Sequence, residues 1–215
     1  RHLLDRSPAR RLRTPVAPAL ETNHLVRTPA LSGSNPHPPL DLAATAVRAL
    51  VLYSLMEFQS GHATTLRVAA EGSTFGISDD GRGHPPDKVL EGTNYLAYIY
   101  THFDYPFAGG RGGPVQLQGI GMSLVNALCS ALTLTVRKRD RTLTMTFDNG
   151  RLVASDTVEA PNEGTGLTVS CRLRPEVPAG GAGTAELEAW LLGLTVVHPR
   201  LKLFFNGREL TAPLP

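Results

Sequence analysis

The residues Asp79-Asp80-Gly81-Arg82-Gly83 place two carboxylates and two glycines directly after a predicted strand over 74–78. Glycine lets backbone N–H groups approach a ligand closely, because it has no Cβ. A second glycine motif, Gln118-Gly119-Ile120-Gly121, opens a predicted helix over 119–132, and the first N–H groups of a helix are unpaired donors for an anion. Either motif alone is also typical of an ordinary turn, so the two have to be judged together with their surroundings.

The segments around these motifs predict an α+β sandwich. A helix over 41–60 has Asp41 as its N-cap and Gly61 as its stop, and its apolar residues on nearly every face indicate burial against a sheet. Two further helices are predicted over 93–102 and 184–194. Apolar and β-branched runs between turn residues predict strands over 65–71, 74–78, 132–138, 142–148, 167–173 and 201–205. We expect the helices over 41–60 and 119–132 to pack on one face of a mixed, mainly antiparallel sheet, as a two-layer sandwich.

The composition excludes several classes of protein. The chain has 215 residues, 41% of them hydrophobic, and its 21 Lys+Arg nearly balance its 19 Asp+Glu, so binding of nucleic acid or membrane by charge alone is not expected. Two cysteines, Cys129 and Cys171, are too few for a disulfide framework or a four-cysteine zinc site, which predicts core thiols and a cytoplasmic location. The sequence has neither a signal peptide nor an apolar run of ~18–20 residues, so we expect no membrane partner.

Residues 1–39 differ from the rest of the chain. They hold seven of the 17 prolines, which block long helices and central strands. This composition predicts a Pro/Arg-rich arm, with a single α+β domain over 40–215. Five arginines near the start of the arm, at positions 1, 6, 10, 11 and 13, fit either contact with DNA or an acidic partner, or a solvated tail. Glycines at 109, 110, 112 and 113 predict a lid over about 103–118.

Together, the motifs at 79–83 and 118–121 resemble the Bergerat-type nucleotide-binding fold shared by gyrase, heat-shock protein 90, histidine kinases and MutL, the GHKL superfamily. Further segments are similar to the gyrase B and topoisomerase IV B branch: Ser60-Gly61-His62, Gly164-Thr165-Gly166 and residues 26–33 and 124–130. The resemblance covers about 24–210. It implies an ATP-binding domain, with the family's transducer domain expected to begin where this chain stops.

The resemblance also implies roles for individual residues. Asp79 would accept a hydrogen bond from the adenine amino group, and Thr165 would support the base through water. Other residues would line the base pocket or meet the phosphates; they are Gly81, Arg82, Gly83 and Pro85 around the base, and Arg111, Leu117, Gln118, Gly119, Ile120 and Gly121 near the phosphates. Glu57 would pair with Arg82, either as a pocket wall or as a plain bridge at a helix end.

Three positions depart from the family pattern. The general-base Glu of the family falls on Ala49, its magnesium-binding Asn on Tyr53, and the second Thr of its "TGT" on Leu167. A methyl group cannot take a proton from water, and a neutral phenol is a poor ligand for a hard cation. We therefore expect ATP as the ligand and only weak binding of magnesium. No residue is expected to act as the catalytic base. Tyr53 would contact the nucleotide but take no part in hydrolysis.

These observations leave three functional hypotheses. In the first, the chain is the ATP-binding domain of a type IIA topoisomerase of the gyrase B kind, in which ATP closes a homodimer for DNA strand passage. A gyrase A-like subunit and DNA would then be partners through parts outside this chain. In the second, the domain is a catalytically inactive nucleotide-sensing or dimerisation scaffold. The third, a DNA-binding adaptor that uses the arm, lacks a basic stripe in the rest of the sequence.

Overall fold

The computed structural model of this protein describes residues 41–90, 92–102, 121–180 and 185–211, together with the backbone of 11–13. The predicted lid and most of the predicted arm lie outside the described residues. Four helices occur in the described part: α1 (Leu42–Gln59), α2 (Tyr95–Thr101), α3 (Met122–Leu128) and α4 (Ala185–Val197). No helix among them has the length and apolar character needed to cross a membrane.

Helix α1 begins and ends at the residues that the sequence predicts. Oδ1 of Asp41 accepts a hydrogen bond from the backbone N–H of Ala44 at 2.9 Å, which satisfies one of the unpaired donors of the first turn. Gly61, just after the helix, has φ of 76°, a left-handed conformation that glycine adopts without strain. The side chain of Asp41 therefore fixes the start of α1, and the backbone of Gly61 fixes its end.

The described strands form one large sheet and one small hairpin. They are β1 (Arg11–Arg13), β2 (Thr65–Glu71), β3 (Thr74–Asp79), β4 (Val89–Leu90), β5 (Thr93–Asn94), β6 (Cys129–Arg137), β7 (Arg141–Asp148), β8 (Arg151–Glu159), β9 (Gly166–Leu173), β10 (Lys202–Phe205) and β11 (Arg208–Leu210). The large sheet has the order β1-β8-β7-β6-β9-β3-β2-β10-β11. Its neighbours are antiparallel except for the parallel pair of β2 and β10. The predicted α+β class with a mixed, mainly antiparallel sheet is confirmed.

The core lies between the sheet and its helices. In β2, Leu66 and Val68 are buried, whereas Arg67 between them is exposed, as expected when alternate side chains point to opposite faces. Val47 and Leu50 of α1 belong to the same buried cluster. Full burial of each such side chain contributes about 1.5–3 kcal/mol, so this layer holds α1 against β2 and β3.

The second predicted helix is shorter than expected. It was predicted over 119–132, but α3 ends at Leu128, and Cys129 already has the extended angles φ −100° and ψ 138°. From Leu132 onward, buried residues alternate with half-buried threonines, and this period of two favours a strand over a helix. The apolar residues before Leu132 fit a helix or a strand equally well. For that reason, the predicted end of the helix at 132 was wrong.

Strand β8 was not predicted. Most of its side chains are half-buried, with no alternation between buried and exposed positions, so the usual periodic signal is missing. A turn at Asn149-Gly150 joins it to β7. Asn149 and Gly150 have φ of 50° and 83°, as in the two-residue turns that join antiparallel strands. The outer edge of β8 pairs with β1 of the predicted arm.

Candidate functional site

The carboxylate of Asp79 is the buried centre of the site. It lies at the end of β3 and is 5% exposed. Its Oδ2 accepts a hydrogen bond from Ser54 Oγ at 2.7 Å, and its Oδ1 accepts from the backbone N–H groups of Gly81 at 3.0 Å and Leu167 at 3.3 Å. Burial raises the pKa of Asp79, and the three hydrogen bonds oppose that effect. A further donor from a ligand would compensate the burial of this charge.

A cavity of about 100 Å³ opens beside this carboxylate. Its lining comes from α1, from the end of β3 and the loop after it, and from β9: Tyr53, Ser54, Met56, Glu57, Asp79, Gly83, His84 and Leu167. Segments far apart in the sequence therefore meet at one concave surface. Of the predicted site residues, the cavity brings together Tyr53, Glu57, Asp79 and Gly83.

Glu57 and Arg82 form the predicted ion pair at the rim of the cavity. Glu57 Oε1 accepts from the Arg82 guanidinium at 2.8 Å, and Oε2 accepts from Arg82 Nε and from its backbone N–H, each at 3.1 Å. The guanidinium lowers the pKa of Glu57. Both carboxylate oxygens are thus engaged, and the loop after β3 is tied to α1.

The loop after β3 is also tied to the start of β9. Thr165 Oγ1 donates a hydrogen bond to the carbonyl oxygen of Gly81 at 2.6 Å. Gly83 has φ of 63°, and a Cβ at this position would lie only 3.0 Å from the carbonyl oxygen of Gly166 and from Cγ1 of Val136. The hydrogen bond and the close approach at Gly83 together fix the backbone of this loop beside β9. Pro85 is exposed and lies outside the cavity lining.

Two of the three positions that depart from the pattern of the resembled family, Ala49 and Tyr53, have different surroundings. Ala49 is 5% exposed and belongs to the hydrophobic core. Tyr53 lines the cavity, where its Oη lies 2.7 Å from Nε2 of His84 and the two rings stack with centroids 5.1 Å apart. Burial lowers the pKa of His84 to about 4, so the imidazole is neutral at physiological pH.

These side chains do not fit a magnesium ion. The phenol of Tyr53 is engaged with an imidazole, whereas magnesium prefers six oxygen ligands in octahedral geometry. In the described part of the chain, no group of three or more His, Cys, Asp or Glu side chains is placed to hold a metal.

Ser54 and His84 are site residues that sequence reasoning missed. Ser54 bonds to a residue 25 positions away, and His84 bonds to one 31 positions away, so neither contact leaves a local pattern. The position of His84 between Gly83 and Pro85 in the predicted base-pocket loop was the available signal.

The predicted phosphate side of the site is largely outside the described residues. That applies to Arg111, Leu117, Gln118, Gly119 and Ile120. Gly121 is described as the residue before α3, where its carbonyl accepts from the N–H groups of Leu124 and Val125, and it does not line the cavity. A shared pocket between Asp79 and the loop at 119–121 stays a prediction.

The curated proteins with similar sequences that are described here are all B proteins of DNA gyrase or DNA topoisomerase 4. No protein-family model matches the chain. It is 28% identical over 168 residues to the DNA topoisomerase 4 B protein of Mycoplasma genitalium, covering 73% of this chain and 26% of that protein. It is 33% identical over 132 residues to the DNA gyrase B protein of Streptococcus pyogenes serotype M3, covering 58% and 20%. For the DNA gyrase B protein of Caulobacter vibrioides, the identity is 35% over 132 residues, covering 52% and 16%.

Solved structures share the fold. The topoisomerase IV ATP-binding domain of Francisella tularensis, in complex with a small-molecule inhibitor, superposes with a TM-score of 0.61 at 19% identity, covering 74% of this chain and 78% of that one. The 43K ATPase domain of Thermus thermophilus gyrase B, in complex with an aminocoumarin, gives 0.65 at 23% identity, covering 78% and 45%. This chain therefore has the fold of these ATP-binding domains. Its sequence is similar to DNA gyrase B and DNA topoisomerase 4 B proteins, and it spans about a quarter or less of each of these curated relatives' length.

Proposed function

We propose that this domain binds adenine nucleotides in the cavity beside Asp79 and hydrolyses ATP at or near background. One observation carries the proposal: a buried carboxylate with a raised pKa lies on the wall of a concave pocket, held by Ser54 and two backbone N–H groups. The exocyclic amino group of adenine is a donor of the kind that such a carboxylate binds.

In the whole protein, the domain would serve a type II topoisomerase of the gyrase B kind. Nucleotide binding would close a homodimer, while a gyrase A-like subunit and DNA would act through other parts of the protein. The domain would extend over 40–215, with the lid at about 103–118 contributing the phosphate side and the arm at 1–39 lying outside the core. The names of the relatives support this assignment.

A second candidate function is a nucleotide-sensing or dimerisation scaffold without catalysis. The observation that favours it is the surroundings of Ala49 and Tyr53. One packs in the core and the other stacks on His84, so neither supplies a base or a metal ligand.

Calorimetric titration with ATP and a non-hydrolysable analogue, with and without magnesium, tests the proposal. We expect binding by the parent chain, and an affinity at least ~10-fold weaker for Asp79→Asn, because a hydrogen bond to a charged group contributes ~1.5–3 kcal/mol. Asp80→Asn is the matched control, since that neighbouring carboxylate accepts from Thr64 and Thr65, outside the cavity. If the unsubstituted chain does not bind ATP at millimolar concentration, the proposal of nucleotide binding is wrong, and a dimerisation scaffold is the function that is left.

A further inference from the structure

One wall of the cavity belongs to a loop whose carbonyl groups are bound by a single cation. Nζ of Lys138 donates to the carbonyl oxygen of Arg82 at 2.7 Å and to that of Gly83 at 3.0 Å. Gly83 and His84 line the cavity, whereas Lys138 lies outside its lining. Hydrogen bonds from a charged donor are roughly twice as strong as those between neutral groups. The ammonium therefore holds the backbone of this wall from outside the cavity.

The turn that carries Lys138 is itself fixed by hydrogen bonds. The backbone N–H of Lys138 donates to the carbonyl oxygen of Arg141 at 2.8 Å. Nδ2 of Asn162 donates to the carbonyl oxygens of Lys138 at 2.6 Å and of Arg141 at 3.1 Å. These contacts hold the turn between β6 and β7, so the ammonium group extends from a rigid element.

A second contact joins the same turn to a later part of the loop. The guanidinium of Arg141 donates to both carboxylate oxygens of Asp87, at 3.2 and 2.6 Å. The side chain of Asp87 is 71% exposed, and ion pairs that are exposed to water contribute little. Of the two contacts, the one made by Lys138 is therefore the stronger restraint on the cavity wall.

The backbone of Gly83 gives this restraint its importance. Glycine populates more backbone conformations than any other residue, and Gly83 has the left-handed φ of 63°. A loop that moves freely loses that freedom when a ligand binds, and this ordering reduces the affinity. The contact with Lys138 removes the freedom before the ligand arrives.

Building on the proposed adenine site, we infer that Lys138 is a positioning residue: its ammonium fixes the wall formed by Gly83 and His84 in the conformation that binds the base. Lys138 acts through the backbone of the loop, because its donors are bound to carbonyl oxygens. Its contribution therefore applies to adenosine and to ATP by the same factor.

The test is a calorimetric titration of adenosine and ATP with variants of the full chain. Lys138→Met removes the ammonium, and Lys138→Arg keeps a cation that can donate to two carbonyl oxygens. Arg139→Met is the matched control, because Arg139 is an exposed cation of the same turn. We expect Lys138→Met to weaken both ligands by the same factor, about three- to tenfold. Lys138→Arg is expected to restore most of the affinity, and Arg139→Met to leave it unchanged.

Hydrogen exchange followed by mass spectrometry separates a local effect on the loop from a general loss of stability. We expect the amides of residues 82–87 to exchange faster in Lys138→Met, while those of β6 and β9 keep their rates. Circular dichroism melts establish that each variant is folded.

The outcomes distinguish this inference from the proposed function. Unchanged adenosine affinity in Lys138→Met would overturn the inference and leave the proposed function standing. A loss confined to ATP would also overturn it, because Lys138 would then act on the phosphates by its charge and not through the wall. If the unsubstituted chain binds neither compound, the proposed function is wrong, and this inference is wrong with it.

Discussion

The imidazole of His84 couples the stability of this domain to pH. Its pKa is about 4 in the folded state, lowered by burial and by Lys138 and Lys88 and raised by Glu57, against ~6.5 in an unfolded chain. Between these values, the unfolded state binds a proton that the folded state does not. The stabilisation is therefore fully present above pH ~6.5 and is lost as the pH falls through about 4.

We expect the free energy of unfolding to fall from pH 6.5 to pH 4 by at most about 3 kcal/mol on account of His84. The measurement is urea unfolding across this range for the parent and for His84→Phe, which keeps a ring without a titrating group. The raised pKa of Asp79 contributes a slope of opposite sign, because its stabilisation is lost as the pH rises through the folded pKa. Subtraction of the two curves isolates His84, and identical curves would contradict the prediction.

Individual site residues were predictable where they belong to a short motif. Asp79 and Arg82 lie within five consecutive residues, and Glu57 lies at a fixed spacing before Gly61, so sequence alone indicated them. Ser54 was not predictable, because a serine on an apolar helix has no signature until folding brings it to the end of β3. The pocket's hydrogen-bond acceptor could thus be predicted, but not the groups that hold it.

Among the elements, those with caps and turn residues were predictable. Asp41 and Gly61 mark α1, and the strand predicted over 201–205 corresponds to β10. Strand β8 was missed because it shows no alternation of buried and exposed side chains. It forms a strand by pairing with β7 on one side and β1 on the other, and the local sequence does not encode these contacts. Pairing partners can override a weak local pattern.

The pairing of β3 with β9 depends on a glycine at one position. Gly166 has φ of 152°, and a Cβ there would overlap the carbonyl oxygen of Asp79. Gly166→Ala is therefore expected to destabilise the domain by about 2–4 kcal/mol, through backbone strain and displacement of β9 from β3. Chemical denaturation followed by fluorescence measures this loss.

Gly164→Ala serves as the control for this substitution. A Cβ at that neighbouring glycine would have no atom within 4 Å, so we expect a change within about 0.5 kcal/mol. Equal stability losses in the two variants would show that the close approach at Gly166 is not what the strand pair depends on.

In the molecule as a whole, α1 and the sheet cooperate to form the cavity. α1 supplies Tyr53, Ser54 and Glu57 from one stretch of helix, and the ends of β3 and the start of β9 supply Asp79 and Leu167. The antiparallel pairing of Asp79 with Leu167 brings the buried carboxylate to one end of the sheet. The fold thus forms a concave pocket beside Asp79, while Ala49 packs in the core and Tyr53 stacks on His84.

This arrangement predicts ATP hydrolysis at or near background. Ala49 has no basic atom, and the remaining carboxylate on α1, Glu57, has a lowered pKa with both oxygens bound to Arg82, which makes it a weak base. Loss of general-base assistance alone slows a reaction by ~10²–10⁴-fold. A phosphate-release assay at high protein concentration with magnesium measures the rate, because dimerisation would otherwise limit it. Turnover that disappears in Glu57→Gln would contradict the prediction and identify Glu57 as the base, released from Arg82 in the nucleotide-bound state.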